Sequence, residues 1–119
     1  MSDEPTILSR SELKSMMDQN ENFVLVEVLP EDEYENGHLP GAVNVPGDRL
    51  RSTVPALVPD RNTTVVVYCG SPSCTASDQA ARVLTDMGYA DVRDYRGGKE
   101  HWEEGGFALT TEEPLPVTA

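Results

Sequence analysis

Two cysteines lie close together in the segment VVVYCGSPSCTASDQAA, which spans residues 65–81. They are the two cysteines of a chain of 119 residues. Cys69 ends an apolar run, and Cys74 follows five residues later, just before a helical pattern begins. The thiolate is the nucleophilic and redox-active form of cysteine, so a pair of thiols in one loop can do covalent sulfur chemistry. The two cysteines are therefore the first candidates for a functional site.

The segment after Cys69 has the composition of a loop that can hold an anion. Gly70 gives the backbone freedom for a sharp turn, and Pro72 stiffens the segment. Successive N–H groups in such a loop can point inward, and the start of the next helix adds partial positive charge, which lowers the pKa of a cysteine. Several side chains add hydroxyl donors. The predicted anion-binding loop consists of Gly70, Ser71, Pro72, Ser73, Cys74, Thr75, Ala76 and Ser77.

Each cysteine also has a structural interpretation. Cys69 could be a buried cysteine that behaves as a small hydrophobic residue; we favour a functional thiol because a loop and a helix start follow it. Cys74 is either a resolving thiol, which attacks a persulfide or sulfenate on Cys69 and leaves a disulfide, or a residue that fills a loop position. A disulfide requires the two Cα atoms to approach within about 7 Å. Two cysteines are too few for a zinc site, so no metal and no cofactor are predicted.

The charge of the chain limits its partners. Nine basic and 21 acidic residues give a net charge of −12. This charge repels nucleic acid and anionic membrane surfaces, so neither is an expected partner. No apolar run is long enough to span a bilayer and the N-terminus is polar, so we expect a cytoplasmic protein. The oligomeric state is left open.

Apolar runs indicate the strands that must position the cysteines. Residues 23–29 and 63–69 are rich in β-branched residues, which is typical of strands buried on both faces of a parallel sheet. Shorter strands are predicted at 42–45 and 90–95.

Helical patterns alternate with these strands. Ser9 and Glu12 form a capping box that begins the first helix, and residues 75–87 show helical spacing that ends before Gly88. Alternating strands and helices predict an α/β domain with a largely parallel sheet, whose ligands bind at the carboxyl ends of the strands. Cys69 lies at such an end. Further helical segments are predicted within residues 30–37, 47–59 (broken at Pro55) and 97–106.

Three stretches resemble motifs of the rhodanese-like (single-domain sulfurtransferase) family. FVLVEVLPEDEYENGHLPGAVNVP is similar to its N-terminal signature, VVVYC to its catalytic strand, and YRGGKEHWEEGGF to its closing Gly-Gly-x-x-x-Trp motif. The resemblance implies an α/β fold with a central, mostly parallel sheet of five strands flanked by helices. It covers about residues 5–108 of a single domain, 1–119, and the segment 109–119 is expected to be a flexible tail.

The resemblance also implies a mechanism. The Cys69 thiolate attacks a sulfane sulfur donor, such as thiosulfate or another persulfide, and carries the sulfur as a persulfide that the loop N–H groups stabilise. A thiophilic acceptor then removes the sulfur. The implied partners are therefore small-molecule or protein donors and acceptors of sulfur, and the mechanism needs no cofactor.

The chain departs from the family pattern in three places. Seven residues, Gly70–Ala76, separate Cys69 from Ser77 where the family usually has five. The loop contains no Arg or Lys, so we expect weak use of thiosulfate; Arg96 is a possible cleft charge, with an ordinary surface arginine as the alternative. Glu27-Val28-Leu29 replaces the family's Asp-Val-Arg, so an ion pair usual in the family is expected to be lost.

Three functions follow from these patterns. The first is a sulfurtransferase that uses Cys69. The second is a dithiol redox switch or reductase that uses Cys69 and Cys74. The third is a catalytically silent module that binds a protein partner. Phosphatase activity, which longer loops in related proteins support, is excluded because the loop lacks the arginine that would bind the oxyanion.

Overall fold

The computed structural model describes residues 5–112 and contains one sheet of five strands in the order β1-β5-β4-β2-β3. Every neighbouring pair of strands is parallel. The predicted fold class, an α/β domain with a five-stranded parallel sheet, is therefore confirmed. The strands are β1 (Thr6–Ile7), β2 (Phe23–Glu27), β3 (Val43–Asn44), β4 (Thr64–Tyr68) and β5 (Val92–Tyr95).

Helices connect the strands and cover both faces of the sheet. The predicted capping box is present, because Glu12 N donates to Ser9 Oγ at 3.1 Å and Ser9 N donates to Glu12 Oε1 at 2.9 Å. These two bonds satisfy N–H groups at the start of the first helix. The helices are α1 (Arg10–Asp18), α2 (Glu31–Glu35), α3 (Leu50–Leu57), α4 (Ala76–Asp86) and α5 (Gly98–Glu104).

Two elements differ from the sequence prediction. Strand β1 was not predicted, because Thr6 and Ile7 are both exposed and form no apolar run; pairing with β5 makes them a strand. Pro55 does not break α3 but lies inside it, after a 3₁₀ turn at Gly47–Arg49. A helix this short is stabilised by packing more than by its own hydrogen bonds, and the buried side chain of Val54 supplies packing next to the proline.

Strand β4 separates the interior into two apolar clusters. Val65, Val67 and Cys69 belong to the cluster beneath α3 and α4, whereas Val66 and Tyr68 belong to the cluster beneath α1 and α5. All five side chains are buried. Since successive side chains of a strand point to opposite faces, Cys69 and Tyr68 lie on different sides of the sheet.

His38 has a structural role in the turn that follows α2. It is buried, its Nδ1 lies 3.0 Å from the carbonyl oxygen of Tyr34, and its Nε2 lies 2.8 Å from that of Glu112. Its backbone exchanges two hydrogen bonds with Thr110. Residues 109–112 of the predicted tail therefore contact the domain, 113–119 lie outside the described residues, and flexibility of the segment stays a prediction. None of the helices within residues 5–112 is long and apolar enough to cross a membrane.

Candidate active site

A turn folds the cysteine loop back toward strand β4. Cys74 N donates to the carbonyl oxygen of Ser71 at 3.1 Å, and Pro72 occupies the second position of this turn, where its fixed φ fits. The hydroxyls of Ser71 and Ser73 lie 3.0 Å apart. The turn brings the Cα atom of Cys74 to 6.5 Å from that of Cys69, and the structure pairs the two sulfurs in a disulfide. The Cys69–Cys74 disulfide therefore closes the loop against the end of β4.

The environment of the Cys69 sulfur differs from the predicted amide cradle. The Cys69 side chain is 0% exposed. Within residues 5–112, no N–H group donates to its Sγ, and the Cys74 carbonyl oxygen lies 3.5 Å from that atom. The turn directs the Cys74 amide toward Ser71 instead of toward the sulfur. The prediction that loop amides converge on Cys69 is therefore wrong for the closed, disulfide form of the loop.

The start of α4 has donors that the closed loop does not use. Thr75 is the N-cap residue, but its side chain makes no capping hydrogen bond. Ser77 is buried, and its hydroxyl has no hydrogen-bond partner among the described residues. The first N–H groups of a helix have no partner within the helix and carry partial positive charge. The segment Thr75–Ser77 therefore follows Cys74 directly and contains donors, and their role toward an anion stays a prediction.

Arg96 lies in an ion-pair cluster on the face of the sheet that Cys69 occupies. Its Nη2 is 3.1 Å from Asp78 Oδ1 and its Nε is 3.3 Å from Asp94 Oδ2. Asp78 also accepts from Arg82 Nε at 3.2 Å. The two arginines and two aspartates balance in charge when all are ionised. Arg96 therefore has carboxylate partners already, and the cluster presents no surplus positive charge to a substrate anion.

A second polar cluster, on the opposite face, was missed by the sequence analysis. Glu27 is fully buried at the end of β2; Tyr68 Oη donates to its Oε1 at 2.8 Å, and Lys99 Nζ forms an ion pair with its Oε2 at 3.1 Å. Lys99 also donates to the Glu33 carbonyl oxygen at 2.6 Å. Glu27 therefore gains a lysine partner in place of the lost family ion pair. The sequence signal for this cluster was Glu27, a charged residue inside the apolar run at residues 23–29.

The burial of this cluster shifts two pKa values. Desolvation raises the pKa of Glu27 above its ordinary value, against the opposing effects of the Tyr68 hydroxyl and Lys99. Burial, followed by the neighbouring Glu27 carboxylate, raises the pKa of Tyr68 well above its usual range. Tyr68 therefore stays a neutral hydrogen-bond donor near neutral pH.

Two backbone hydrogen bonds attach the start of α5 to the cysteine loop. Lys99 N donates to the Cys69 carbonyl oxygen at 3.1 Å, and Glu100 N donates to that of Gly70 at 2.9 Å. Gly98 has a φ of +67°, and a Cβ built there would lie 2.5 Å from the Cys69 carbonyl oxygen. Only glycine allows the backbone to approach this closely. The first turn of α5 thus holds the backbone at the exit from β4.

Of the predicted loop, the structure brings Cys69 and Cys74 together and places Ser77 at the buried start of α4. Ser71 and Ser73 bond to each other rather than to the sulfur. Gly70 contributes its carbonyl oxygen to α5. The donor roles predicted for these residues toward a bound anion stay predictions.

Comparison with known proteins identifies relatives of the whole domain. A family model described as "Rhodanese-like domain" matches residues 9–105. The HTH-type transcriptional regulator Rv0324 of Mycobacterium tuberculosis is 34% identical over 110 residues, which are 92% of this chain and 46% of the regulator. The chain therefore spans less than half of the regulator's length.

Two further relatives match most of their own length. Thiosulfate sulfurtransferase PspE of Escherichia coli is 35% identical over 75 residues, covering 63% of this chain and 70% of PspE. The structure of the human single-domain sulfurtransferase TSTD1 superposes with a TM-score of 0.73 at 28% identity, covering 84% of this chain and 96% of that one.

Replacing Gly98 by alanine is expected to destabilise the domain. A non-glycine residue at positive φ costs roughly 1–3 kcal/mol, and the new Cβ would also meet the Cys69 and Gly70 backbone within 3 Å. Gly88→Ala is the matched control, because Gly88 has a φ of +98° and open space around its Cβ position. Urea unfolding should show that Gly98→Ala lowers the free energy of unfolding more than Gly88→Ala does, by about 1 kcal/mol or more. Equal losses would contradict the proposed close approach.

Glu27 is expected to make stability depend on pH. The pKa of Glu27 is higher in the folded state than its ordinary value of 4.5. The contribution of Glu27 to the free energy of unfolding is therefore fully present below pH 4.5 and is lost as the pH rises through the folded-state pKa. Glu27→Gln removes this titration, so the variant's free energy of unfolding should rise relative to the wild type as the pH increases from below 4.5 to neutrality. Urea unfolding of both proteins across this range measures the difference. A difference that stays constant or falls would contradict the raised pKa.

Proposed function

Because the chain belongs to the rhodanese-like domain family, as its motifs predict, we propose that it is a sulfurtransferase that carries sulfane sulfur on Cys69. The observation that supports this most directly is the position of Cys69 at the carboxyl end of the central strand β4, between the starts of α4 and α5. Ligands of open parallel sheets bind at this end of the strands.

The reaction has two steps. The Cys69 thiolate attacks the outer sulfur of the donor, whose S–S bond breaks, and the remainder of the donor leaves with the electron pair as sulfite or a thiolate. A thiophilic acceptor, either a small molecule or a protein, then attacks the terminal sulfur of the persulfide and regenerates the thiolate. Both steps are nucleophilic displacements at sulfur, so neither needs a cofactor.

The closed loop must open before this chemistry starts. In the disulfide form, Cys69 has no thiolate and is buried. Reduction by thiols frees both cysteines, and the loop can then move the Cys74 carbonyl oxygen away from Sγ. The uncapped start of α4 and the unpartnered Ser77 hydroxyl then supply donors to the persulfide anion.

The charges around the site favour a donor less anionic than thiosulfate. Arg96 is paired with Asp78 and Asp94, and Lys99 lies on the opposite face of the sheet with Glu27. The chain as a whole carries a net charge of −12, which repels a dianion. We therefore expect slow turnover with thiosulfate and cyanide, and preference for a persulfide donor or a thiol cosubstrate.

Two serine variants that leave one thiol each test the role of Cys69. After anaerobic incubation of the reduced proteins with thiosulfate, Cys74→Ser should gain the mass of one sulfur atom and release one sulfite, because it retains Cys69. Cys69→Ser retains Cys74 and should do neither. Intact-protein mass spectrometry and a sulfite assay give the readout. The assignment fails if Cys69→Ser gains sulfur to the same extent.

A dithiol redox switch is the second candidate function, and the Cys69–Cys74 disulfide favours it. A small disulfide would oxidise the pair by two successive exchanges, each releasing one thiolate, and small thiols would reverse the process. We expect the pair to become oxidised in a mildly oxidising glutathione buffer, measured by alkylating the remaining thiols. A pair that stays fully reduced in that buffer rules out the switch.

A further inference from the structure

The two cysteines of the closed loop differ in their access to solvent. Cys69 is fully buried, whereas Cys74 is partly exposed in the loop. The sulfur of Cys74 is in contact with Cys69 Sγ, the atom that would be the inner sulfur of a Cys69 persulfide. The turn from Ser71 to Cys74 holds this approach through one backbone hydrogen bond of 3.1 Å. A nucleophile held in this way reacts as part of the same molecule, with a high effective concentration.

We propose that Cys74 is an internal acceptor that ends the sulfur-carrying state of Cys69 by releasing sulfide. The proposal rests on the proposed function, because it needs a persulfide on Cys69. It adds a second activity to that function: the domain reduces sulfane sulfur to sulfide with its own two thiols, and the disulfide form of the structure is the product.

The step balances without a further reactant. The Cys74 thiolate attacks Cys69 Sγ, the S–S bond of the persulfide breaks, and the outer sulfur leaves with the electron pair as hydrosulfide. Cys69–S–SH and Cys74–S⁻ thus give Cys69–S–S–Cys74 and HS⁻. The sulfane sulfur gains two electrons, and the two cysteines lose them. Thiols of small molecules or proteins must then reduce the disulfide before another cycle.

The asymmetric burial determines how the cycle is reset. An external thiol would reach Cys74, which is partly exposed, more readily than Cys69, which is buried. Attack at Cys74 forms a mixed disulfide there and releases Cys69 as the thiolate. A second thiol then frees Cys74. Cys69 is therefore restored as a thiolate before Cys74 is.

A single turnover without added thiol tests the proposal. Reduced wild-type protein and Cys74→Ser are incubated with thiosulfate under anaerobic conditions, and sulfite, sulfide and protein mass are followed. Slow loading is sufficient, because only one turnover is needed. The wild type should release one sulfite and one sulfide per chain and lose the mass of two hydrogen atoms. Cys74→Ser should release one sulfite, keep the mass of one added sulfur, and release at least tenfold less sulfide.

The outcomes separate this proposal from the one on which it rests. If the wild type also keeps the added sulfur and releases no more sulfide than Cys74→Ser, Cys74 is not an internal acceptor, although Cys69 still carries sulfur. If neither protein releases sulfite or gains sulfur, the proposed sulfurtransferase function fails, and the internal step fails with it. In the wild type alone, sulfide release and formation of the Cys69–Cys74 disulfide should share one rate constant. Different rate constants would overturn the proposal without relying on a variant.

Discussion

The burial of strand β4 on both faces is the constraint on which the arrangement of the site depends. Alternate side chains of this strand enter different apolar clusters, so the Cys69 sulfur points toward α3 and α4 while the Tyr68 hydroxyl points to the other side. The backbone at the end of the strand is then held by α5, whose first N–H groups bind the carbonyl oxygens of Cys69 and Gly70. The position of the thiol is therefore set by the core and by a helix start, whereas the loop after Gly70 is shaped by its own turn from Ser71 to Cys74.

The same alternation distributes the charges of the site. Glu27 and Lys99 pair beneath one face, and Arg96 pairs with Asp78 and Asp94 beneath the other. Lys99 and Arg96 thus already have carboxylate partners. In the proposed reaction, a substrate anion would instead rely on N–H groups and hydroxyls at the start of α4, which are neutral donors. Such a site would suit a persulfide bound to a thiol better than a free dianion, because these cations are already paired and the chain carries a net charge of −12.

The closed loop connects the two activities proposed for the domain. A turn of four residues is enough to bring Cys74 against Cys69, and it also turns a carbonyl oxygen toward the sulfur in place of an amide. The closed conformation therefore suits the Cys69–Cys74 disulfide and does not suit a persulfide anion on Cys69. We expect an opened loop to suit the persulfide anion instead. In the two proposed activities, loop conformation and oxidation state would change together, and sulfur transfer would depend on the supply of reducing thiols.

The sequence by itself determined the α/β class, the capping box of α1, the position of Cys69 at a strand end and the family, because local patterns and short motifs specify them. It did not predict β1, whose two exposed residues become a strand only by pairing with β5. It also missed the Glu27–Tyr68–Lys99 cluster, which joins three elements far apart in the chain. The tertiary structure alone decided which way the loop amides point and whether the two thiols meet, since a turn can close over a strand end only where the neighbouring helices leave room for it.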